Sequence, residues 1–370
     1  MTDAIPHTLP KPDVVPELDV AALEDAPTAE ALAALAHACH TVGFLRVVNH
    51  GVPVEVVDDV LAAASEVFSL DQAEKEAVHI NGSLSFRGYA RVGEEITLGV
   101  PDFKETFDVG LEHPPVGQDA VAAAAATGAW AGLLAGANQW PAAAPMLAPR
   151  IYAYMDAMRE LGLRIMTILA AALDLPLDTF TSVYTRRPAG RPDAAGFALL
   201  RLLRYPPQAG APRIGVGEHS DFGMLTLLAT DDIGGLQVEI EPGVWRDVPP
   251  RSGTFVLNFG DLLEVWTNGY IRATNHRVIS PSSTMPRFSV PFFVEPDLDA
   301  TFTPLDSSRF AYAPGRRPLD AEAADAAIFQ KYEGRFEDAL HYGDHIFAAC
   351  VRSFPTNPVS IAWLAAQREP

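Results

Sequence analysis

Cysteine and basic residues are both scarce in this chain of 370 residues. Its two cysteines, Cys39 and Cys350, lie far apart in the sequence and cannot build a multi-bridge disulfide framework, which favours a reducing compartment. Lysine and arginine number 27 against 47 acidic residues, and the formal net charge of -20 argues against nucleic acids and anionic membranes as partners. An acidic surface of this kind mainly favours solubility.

The chain also lacks a long hydrophobic run. Its longest apolar stretch, residues 120–137, is mostly alanine interrupted by glycines and makes a poor membrane span. The first 13 residues contain three prolines and none of the apolar core of a secretory signal. With 48% hydrophobic and 20% charged residues, the composition is that of an ordinary globular protein. We therefore expect a cytoplasmic protein, and no obligate protein partner is evident from the sequence.

A histidine and an aspartate lie two residues apart in Gly217-Glu218-His219-Ser220-Asp221-Phe222-Gly223. The alternating apolar residues around them are typical of a β-strand, in which every second side chain points to the same face. His219 and Asp221 would then share one ion, and His276, in a second β-rich segment, is the best third ligand. Two imidazoles and one carboxylate suit a divalent first-row metal and leave three positions open, as in non-haem Fe(II) oxygenases. The alternative for such a pair alone is an exposed turn or a hydrogen-bonded core histidine.

A possible carboxylate clamp follows His276. Arg287 and Ser289 share a strand face, and a guanidinium beside a hydroxyl forms a fork for a carboxylate. The alternative is an edge-strand arginine that pairs with a surface acid. The neighbouring Val290 and Phe292 favour a buried strand, in which an unpaired charge would be costly.

The segment from Leu199 to Phe293 resembles the catalytic core of the isopenicillin N synthase-like family of Fe(II)/2-oxoglutarate-dependent dioxygenases. The matching pieces occur in the family's order: Arg204-Tyr205-Pro206-Pro207, His219-x-Asp221, Gly235-Leu236-Gln237-Val238, Trp245-Arg246-Asp247-Val248, Asn258-x-Gly260-Asp261, Trp266-Thr267-Asn268-Gly269, His276-Arg277-Val278 and Arg287-x-Ser289.

This resemblance implies the cofactors and the reaction. Fe(II) would be bound by His219, Asp221 and His276, and 2-oxoglutarate by Arg287, Ser289 and Tyr205, with O2 as co-substrate. The expected reaction is hydroxylation or desaturation of an amino acid or a natural-product intermediate, with release of succinate and CO2. The same Arg-x-Ser pair occurs in oxidases of the family that use no 2-oxoglutarate, so a 2-oxoglutarate-independent oxidase is one alternative. A non-catalytic jelly-roll binding protein is another.

A loop at Gly93-Glu94-Glu95-Ile96-Thr97 is similar to one in the bacterial ethylene-forming branch of this family, where it lies on the wall of the substrate site. By this likeness Glu95, Thr97, Arg201 and Phe222 are candidates for the substrate wall. The branch has a tyrosine at the position of Phe222 and an arginine at the position of Ala339, and these differences bear on whether arginine is a substrate and ethylene a product. Without the likeness, Glu94 and Glu95 would read as a solvated turn.

The pattern of elements predicts a mixed α/β (α+β) fold. Strand after strand from Phe197 onwards predicts a double-stranded β-helix (jelly roll), flanked by N-terminal, middle and C-terminal helices. Other segments predict one strand at residues 14–23 and helices at residues 28–41, 54–70, 151–173 and 320–354. We expect one globular unit with an N-terminal region (1–118), a helical connection (119–196), the jelly-roll core (197–300) and a C-terminal helical segment (301–370).

Overall fold

The computed structural model describes residues 15–184, 196–208, 210–280, 284–310 and 340–367. Within these ranges the helices are α1 (Val20–Asp25), α2 (Ala29–Thr41), α3 (Val54–Ser69), α4 (Gln72–Glu76), α5 (Gln118–Thr127), α6 (Leu147–Ala172), α7 (Asp261–Trp266), α8 (Tyr342–Ser353) and α9 (Pro358–Ala366). Short 3-10 turns lie at Ile80–Gly82, Trp130–Leu134 and Ser307–Arg309.

The strands are β1 (Glu17–Asp19), β2 (Phe44–Val48), β3 (Gly88–Ala90), β4 (Ile96–Thr97), β5 (Val100–Pro101), β6 (Glu105–Gly110), β7 (Leu199–Tyr205), β8 (Arg213–His219), β9 (Leu225–Thr230), β10 (Leu236–Glu241), β11 (Val244–Asp247), β12 (Phe255–Phe259), β13 (His276–Ser280), β14 (Arg287–Val294), β15 (Thr301–Phe302) and β16 (Leu340–His341).

Two sheets form the jelly roll, and their strand pairs are antiparallel except for the parallel β1–β2 pair. The larger sheet has the order β1-β2-β12-β9-β14-β7-β6-β3 and the smaller one the order β11-β10-β13-β8. Strands from the first 110 residues extend both edges of the larger sheet, so the N-terminal segment and the predicted core share one sheet. The mixed fold with a double-stranded β-helix is confirmed, and the division into four regions stays a prediction.

The inner faces of the two sheets meet in a core of mainly β-branched side chains. Val216 and Val278 lie on the smaller sheet, and Leu203 and Tyr205 face them from the larger sheet. β-branched and aromatic residues pack well on such pleated surfaces. This core holds the sheets together at a fixed spacing and thereby positions the residues at their ends.

Helices cover the other face of the larger sheet. The longest, α6, buries Tyr154, Met158, Leu161, Ile165 and Leu169, the stripe that the sequence spacing predicts. The side chain of Thr28 accepts a hydrogen bond from the backbone N–H of Ala31 and so caps the start of α2. None of the described helices combines the length and the apolar character needed to cross a bilayer.

Two predicted elements differ from the structure. The strand expected at residues 14–23 is limited to β1, because the Asp19 side chain accepts from the Ala22 N–H and starts α1. Of the helix expected at residues 320–354, the described part is helical at Tyr342–Ser353, and residues 340–341 before it form a strand that pairs with Thr301–Phe302. Residues 320–339 of that prediction lie outside the described part of the chain.

Candidate active site

The three predicted metal ligands come together at one end of the smaller sheet. β8 ends at His219, β13 begins at His276, and these two residues lie directly opposite each other. The sequence pattern predicted that Asp221 lies in the same strand as His219. In the structure it lies in the turn between β8 and β9. Its carbonyl oxygen accepts a hydrogen bond of 2.7 Å from the Asp261 N–H, which anchors the turn to the start of α7.

The geometry of these side chains suits a single ion. Oδ1 of Asp221 lies 3.7 Å from Nε2 of His219 and 3.6 Å from Nε2 of His276, and the three donor atoms all lie within 4.8 Å of one another. Nδ1 of His219 lies 2.8 Å from the Gly217 carbonyl and Nδ1 of His276 lies 3.2 Å from the Thr274 carbonyl. Because a carbonyl oxygen can only accept, each Nδ1 carries the proton and each Nε2 presents a lone pair to the shared space.

The outer oxygen of Asp221 is held by two donors. Oδ2 accepts hydrogen bonds from the Thr226 hydroxyl and, at 2.6 Å, from the Asn258 amide. Burial raises the pKa of Asp221, but His276 and His219, together with these hydrogen bonds, outweigh it and hold the pKa below its ordinary value. Burial, followed by the neighbouring His219, lowers the pKa of His276 to about 4. A carboxylate and neutral imidazoles at neutral pH are the ligand forms that a divalent iron requires, so the donor set fits Fe(II).

The predicted carboxylate clamp is buried between the sheets. Nη1 of Arg287 donates to the Ser289 hydroxyl at 3.3 Å, and Nε donates to the Ile233 carbonyl at 3.1 Å. The Tyr205 ring lies 4.7 Å from the guanidinium carbon, directly across the β7–β14 pair. No carboxylate of the described residues forms an ion pair with Arg287. A buried guanidinium with donors to spare fits the distal carboxylate of 2-oxoglutarate.

A cavity of about 700 Å³ opens beside His219 and Asp221. The sequence-predicted wall residues Glu95, Thr97, Arg201 and Phe222 all line this cavity. Apolar walls come from β7, β14, α8 and the residues next to them, through Phe197, Leu199, Phe293, Ile346 and Phe354. The cavity therefore joins the metal end of the barrel to the loop of residues 93–104.

Glu95 belongs to a buried ionic network and is not a solvated turn residue. Arg201 pairs with both oxygens of Asp108 at 2.7 Å each and also binds Glu95. Lys104 lies 2.8 Å from Glu95 and 2.5 Å from Asp102. Burial opposes ionisation of Glu95, but Arg201 and Lys104 outweigh it and lower its pKa to about 2.

This network also reaches the metal strand. Asp102 accepts a hydrogen bond from the Thr97 hydroxyl at 2.8 Å and another from the Gly217 N–H at 3.2 Å. Gly217 precedes the metal-site residue His219 by two positions, so the 93–104 loop is tied to β8 through Asp102.

Phe222 links the β8–β9 turn, which contains Asp221, to α8. Its carbonyl lies 3.0 Å from Nε2 of His345, and the ring centroids of the two side chains are 6.0 Å apart. Arg352 lies 5.9 Å from the Phe222 ring and is exposed at the edge of the cavity.

Several buried polar residues of the site were not predicted from the sequence. They are Thr226, Asn258, Lys104, Asp102, Asp108, Arg87 and Glu295. Asn258 lies within the motif Asn258-x-Gly260-Asp261, but a motif does not reveal which groups meet in space. Burial raises the pKa of Glu295 to about 8, and the Asp221 charge adds to the rise.

Two family models match the chain. Residues 15–143 match the N-terminal model of non-haem dioxygenases in morphine synthesis, and residues 196–296 match the 2OG-Fe(II) oxygenase superfamily. A homoarginine-6-hydroxylase of Glycine max is 35% identical over 77% of this chain and 83% of its own length. The 2-oxoglutarate-dependent dioxygenase frbJ of a Dothideomycetidae species is 34% identical over 80% of this chain and 77% of its own.

Solved structures agree with these matches. Neurospora crassa T7H, crystallised with alpha-KG and thymine, has a TM-score of 0.68 at 22% identity over 93% of this chain and 98% of its own, and supports the fold. JOX2, crystallised with 2OG, Fe and JA, has a TM-score of 0.60 at 27% identity over 79% of this chain and 77% of its own. Together with the His-Asp-His triad, these matches show that the chain belongs to the 2OG-Fe(II) oxygenase superfamily and is an Fe(II)- and 2-oxoglutarate-dependent dioxygenase.

Proposed function

We propose that this dioxygenase hydroxylates a small amino acid that has a cationic side chain, with L-homoarginine as the first candidate. The observation that carries the proposal is the buried ionic network around Glu95 on the cavity wall beside the metal triad. Fe(II), 2-oxoglutarate and O2 supply the oxidising power of the reaction, with release of succinate and CO2. The protein must bind the substrate, orient one C–H bond and exclude water.

The proposed cofactor contacts follow the geometry. His219, Asp221 and His276 bind Fe(II) through Nε2, Oδ1 and Nε2. Arg287 and Ser289 bind the distal carboxylate of 2-oxoglutarate, and Tyr205 packs under the guanidinium and keeps it in place. The burial of all three clamp residues supports this role, because a desolvated guanidinium binds a carboxylate more strongly than an exposed one.

The charges on the cavity wall support a zwitterionic substrate. Apart from Asp221 and Glu295, the wall carries four acids and four bases: Glu95, Asp108, Glu218 and Asp261, and Arg87, Lys104, Arg201 and Arg352. A wall with both signs of charge suits a molecule that carries an ammonium or guanidinium and a carboxylate. Several relatives are named homoarginine-6-hydroxylases, among them those of Glycine max, Oryza sativa and Arabidopsis thaliana. In this proposal the substrate guanidinium lies against Glu95 and Thr97.

The test is aerobic turnover of the Fe(II)-loaded enzyme with 2-oxoglutarate and L-homoarginine. We expect homoarginine-dependent succinate and a product heavier by one oxygen atom, neither of which the His219→Ala variant forms. The Glu95→Gln variant should raise KM for homoarginine about tenfold or more, because the guanidinium loses a charged partner in a buried site. Absence of an oxygenated product from homoarginine, arginine and lysine would remove this substrate class.

Ethylene formation and a cytoplasmic location remain predictions from the sequence. Phe222 lies on the cavity wall where the ethylene-forming branch has a tyrosine, and Ala339 lies outside the described residues. Headspace gas analysis of reactions with arginine tests for ethylene, again with His219→Ala as the control. The location rests on the two cysteines, both of which are free thiols in the structure.

A further inference from the structure

Arg87 is a buried cation on the wall of the active-site cavity. Only 2% of its surface is exposed, and it lines the cavity together with Leu134, Phe197 and Cys350. Its guanidinium packs flat against the backbone of Gly110, where an added Cβ would lie 2.6 Å from Nε. Glycine at position 110 therefore makes room for the guanidinium at this position.

The hydrogen bonds of this guanidinium are incomplete. Nη2 donates to the Leu134 carbonyl at 3.0 Å, and Nη1 makes a long contact of 3.5 Å with the carbonyl of Phe86. Nε is buried and has no hydrogen-bond partner among the residues that the structure describes. A guanidinium has five N–H donors, so most of those on Arg87 are not used by the described residues.

No carboxylate of the described residues forms an ion pair with Arg87. Asp108 and Glu112 are near enough to act on its charge, but both oxygens of Asp108 bind Arg201, and those of Glu112 accept hydrogen bonds from Asn138 and Tyr152. The Cys350 thiol is also close, but burial raises its pKa to about 12, so it carries no charge at neutral pH. A buried charge without a counter-ion is costly, and proteins keep such a charge where a ligand supplies the missing partner.

The other cations of the cavity differ from Arg87. Lys104 is paired with Glu95 and Asp102, and Arg201 is paired with Glu95 and Asp108. Arg352 is exposed to water and keeps its hydration. Among the cavity cations that the structure describes, Arg87 alone is both desolvated and without a carboxylate.

We propose that Arg87 is the anchor for the carboxylate of the substrate. This inference rests on the proposed function in that the substrate is an amino acid. Arg87 and Glu95 both line the cavity, and Asp108 and Arg201 lie between them in a series of charge interactions, which gives an anionic group and a cationic group of one molecule separate partners. The carboxylate of 2-oxoglutarate has its own partner in Arg287, which does not line this cavity.

The first experiment uses acetate as a minimal carboxylate and does not depend on the identity of the substrate. The Fe(II)- and 2-oxoglutarate-loaded enzyme is titrated anaerobically with potassium acetate, against potassium chloride at the same ionic strength, and Tm is measured. We expect a saturable rise in Tm for the wild type and for Arg246→Gln, the matched control, which changes an exposed arginine of β11 outside the cavity, and none for Arg87→Gln. The visible absorption band of bound 2-oxoglutarate shows that each variant is folded. A wild-type enzyme without a saturable acetate response would overturn the inference, whatever its activity on homoarginine.

The second experiment compares an acid with its amide. Each amino acid that perturbs the 2-oxoglutarate band of the wild type is compared with its carboxamide. We expect the wild type to bind the acid at least tenfold more tightly and Arg87→Gln to show no preference. An acid preference that survives in Arg87→Gln contradicts the anchor, whereas failure of homoarginine alone contradicts only the proposed substrate. If Arg87→Gln does not fold, the wild type is tested for competition between acetate and the amino acid. We expect acetate to weaken binding of the amino acid, and a lack of competition would also overturn the inference.

Discussion

Thr226 and Asn258 fix the orientation of Asp221 from two neighbouring strands. They lie directly opposite each other in the β9–β12 pair, and both donate to the same carboxylate oxygen. The other oxygen is thereby left for the metal. Partners of metal ligands of this kind contribute to affinity, because they hold the ligand in its binding orientation.

The Thr226→Val variant keeps the shape of the side chain and removes the hydroxyl donor. We expect its affinity for Fe(II) to fall about tenfold or more, since Asp221 loses one of its two restraints. Anaerobic equilibrium dialysis with Fe(II) measures this. The Thr167→Val variant removes a hydroxyl that donates to the Leu163 carbonyl in α6 and should leave the affinity unchanged. Equal affinities in both variants would mean that Asn258 alone orients the carboxylate.

Spacing along the chain, together with the family resemblance, predicted three residues that the structure brings together, but not the residues that support them. His219, Asp221 and His276 have a chemical signature, two imidazoles and a carboxylate in β-rich segments. Thr226 and Asn258 are common residue types, and their joint role depends on a strand pairing that connects positions 32 residues apart in sequence. Arg87 is similar, because its lack of a counter-ion becomes visible only when the neighbours of its guanidinium are known.

The turn between β8 and β9 is the element on which the metal site depends. A Cβ at Gly260 would overlap the carbonyl oxygen of Gly223, so the start of α7 packs directly on this turn. The N–H of Gly260 donates to the Met224 carbonyl and that of Leu262 to the Gly223 carbonyl. Backbone atoms at the start of α7 therefore support backbone atoms of the β8–β9 turn, without an intervening side chain.

The Gly260→Ala variant pushes the start of α7 away from the β8–β9 turn. We expect a loss of stability of about 1 to 3 kcal/mol, the usual cost of overpacking, together with weaker Fe(II) binding because Asp221 moves with its turn. Thermal unfolding with and without Fe(II) measures both effects. The Gly132→Ala variant adds a Cβ that meets no other described residue within 4 Å, apart from its chain neighbours, and should change stability by less than about 0.5 kcal/mol. A Gly260→Ala enzyme as stable as the wild type would show that the start of α7 can move away from the β8–β9 turn without cost.

The elements with the clearest periodicity were predicted best. The helix expected at residues 54–70 is found at Val54–Ser69, and the stripe of α6 is buried as its spacing requires. Short elements were less predictable, because hydrogen bonds to distant segments or to caps decide them. β1 ends where the Asp19 cap starts a helix, and the 340–341 strand exists through its pairing with residues 301–302.

On the scale of the whole molecule, the ionic network around Glu95 makes the stability of the folded protein depend on pH in the acidic range. The pKa of Glu95 is lowered in the folded protein from 4.5 to about 2, with burial outweighed by Arg201 and Lys104. Its contribution is therefore fully present above about pH 4.5 and is lost as the pH falls towards 2. The shift corresponds to at most about 3 kcal/mol.

The Glu95→Gln variant should be less stable than the wild type at pH 7, and the difference should shrink between pH 5 and pH 2. Urea unfolding at a series of pH values measures it. Glu94→Gln changes the neighbouring surface residue, which pairs with Arg91 and His79, and should cost less than about 1 kcal/mol at any pH. A constant difference between wild type and Glu95→Gln down to pH 2 would contradict the lowered pKa.

The position of α8 near the end of the chain determines the order in which the parts of the site are synthesised. The chain leaves the ribosome from its N-terminus, so the triad, whose last member is His276, and Arg287 and Ser289 of the clamp emerge well before α8. The wall residues Ile346 and Phe354 then close the cavity beside a metal end that has already been synthesised. A nascent chain thus contains every iron-binding group before it contains a complete substrate pocket. The segment that packs on Phe222 through His345 is therefore the last part of the cavity wall to be synthesised.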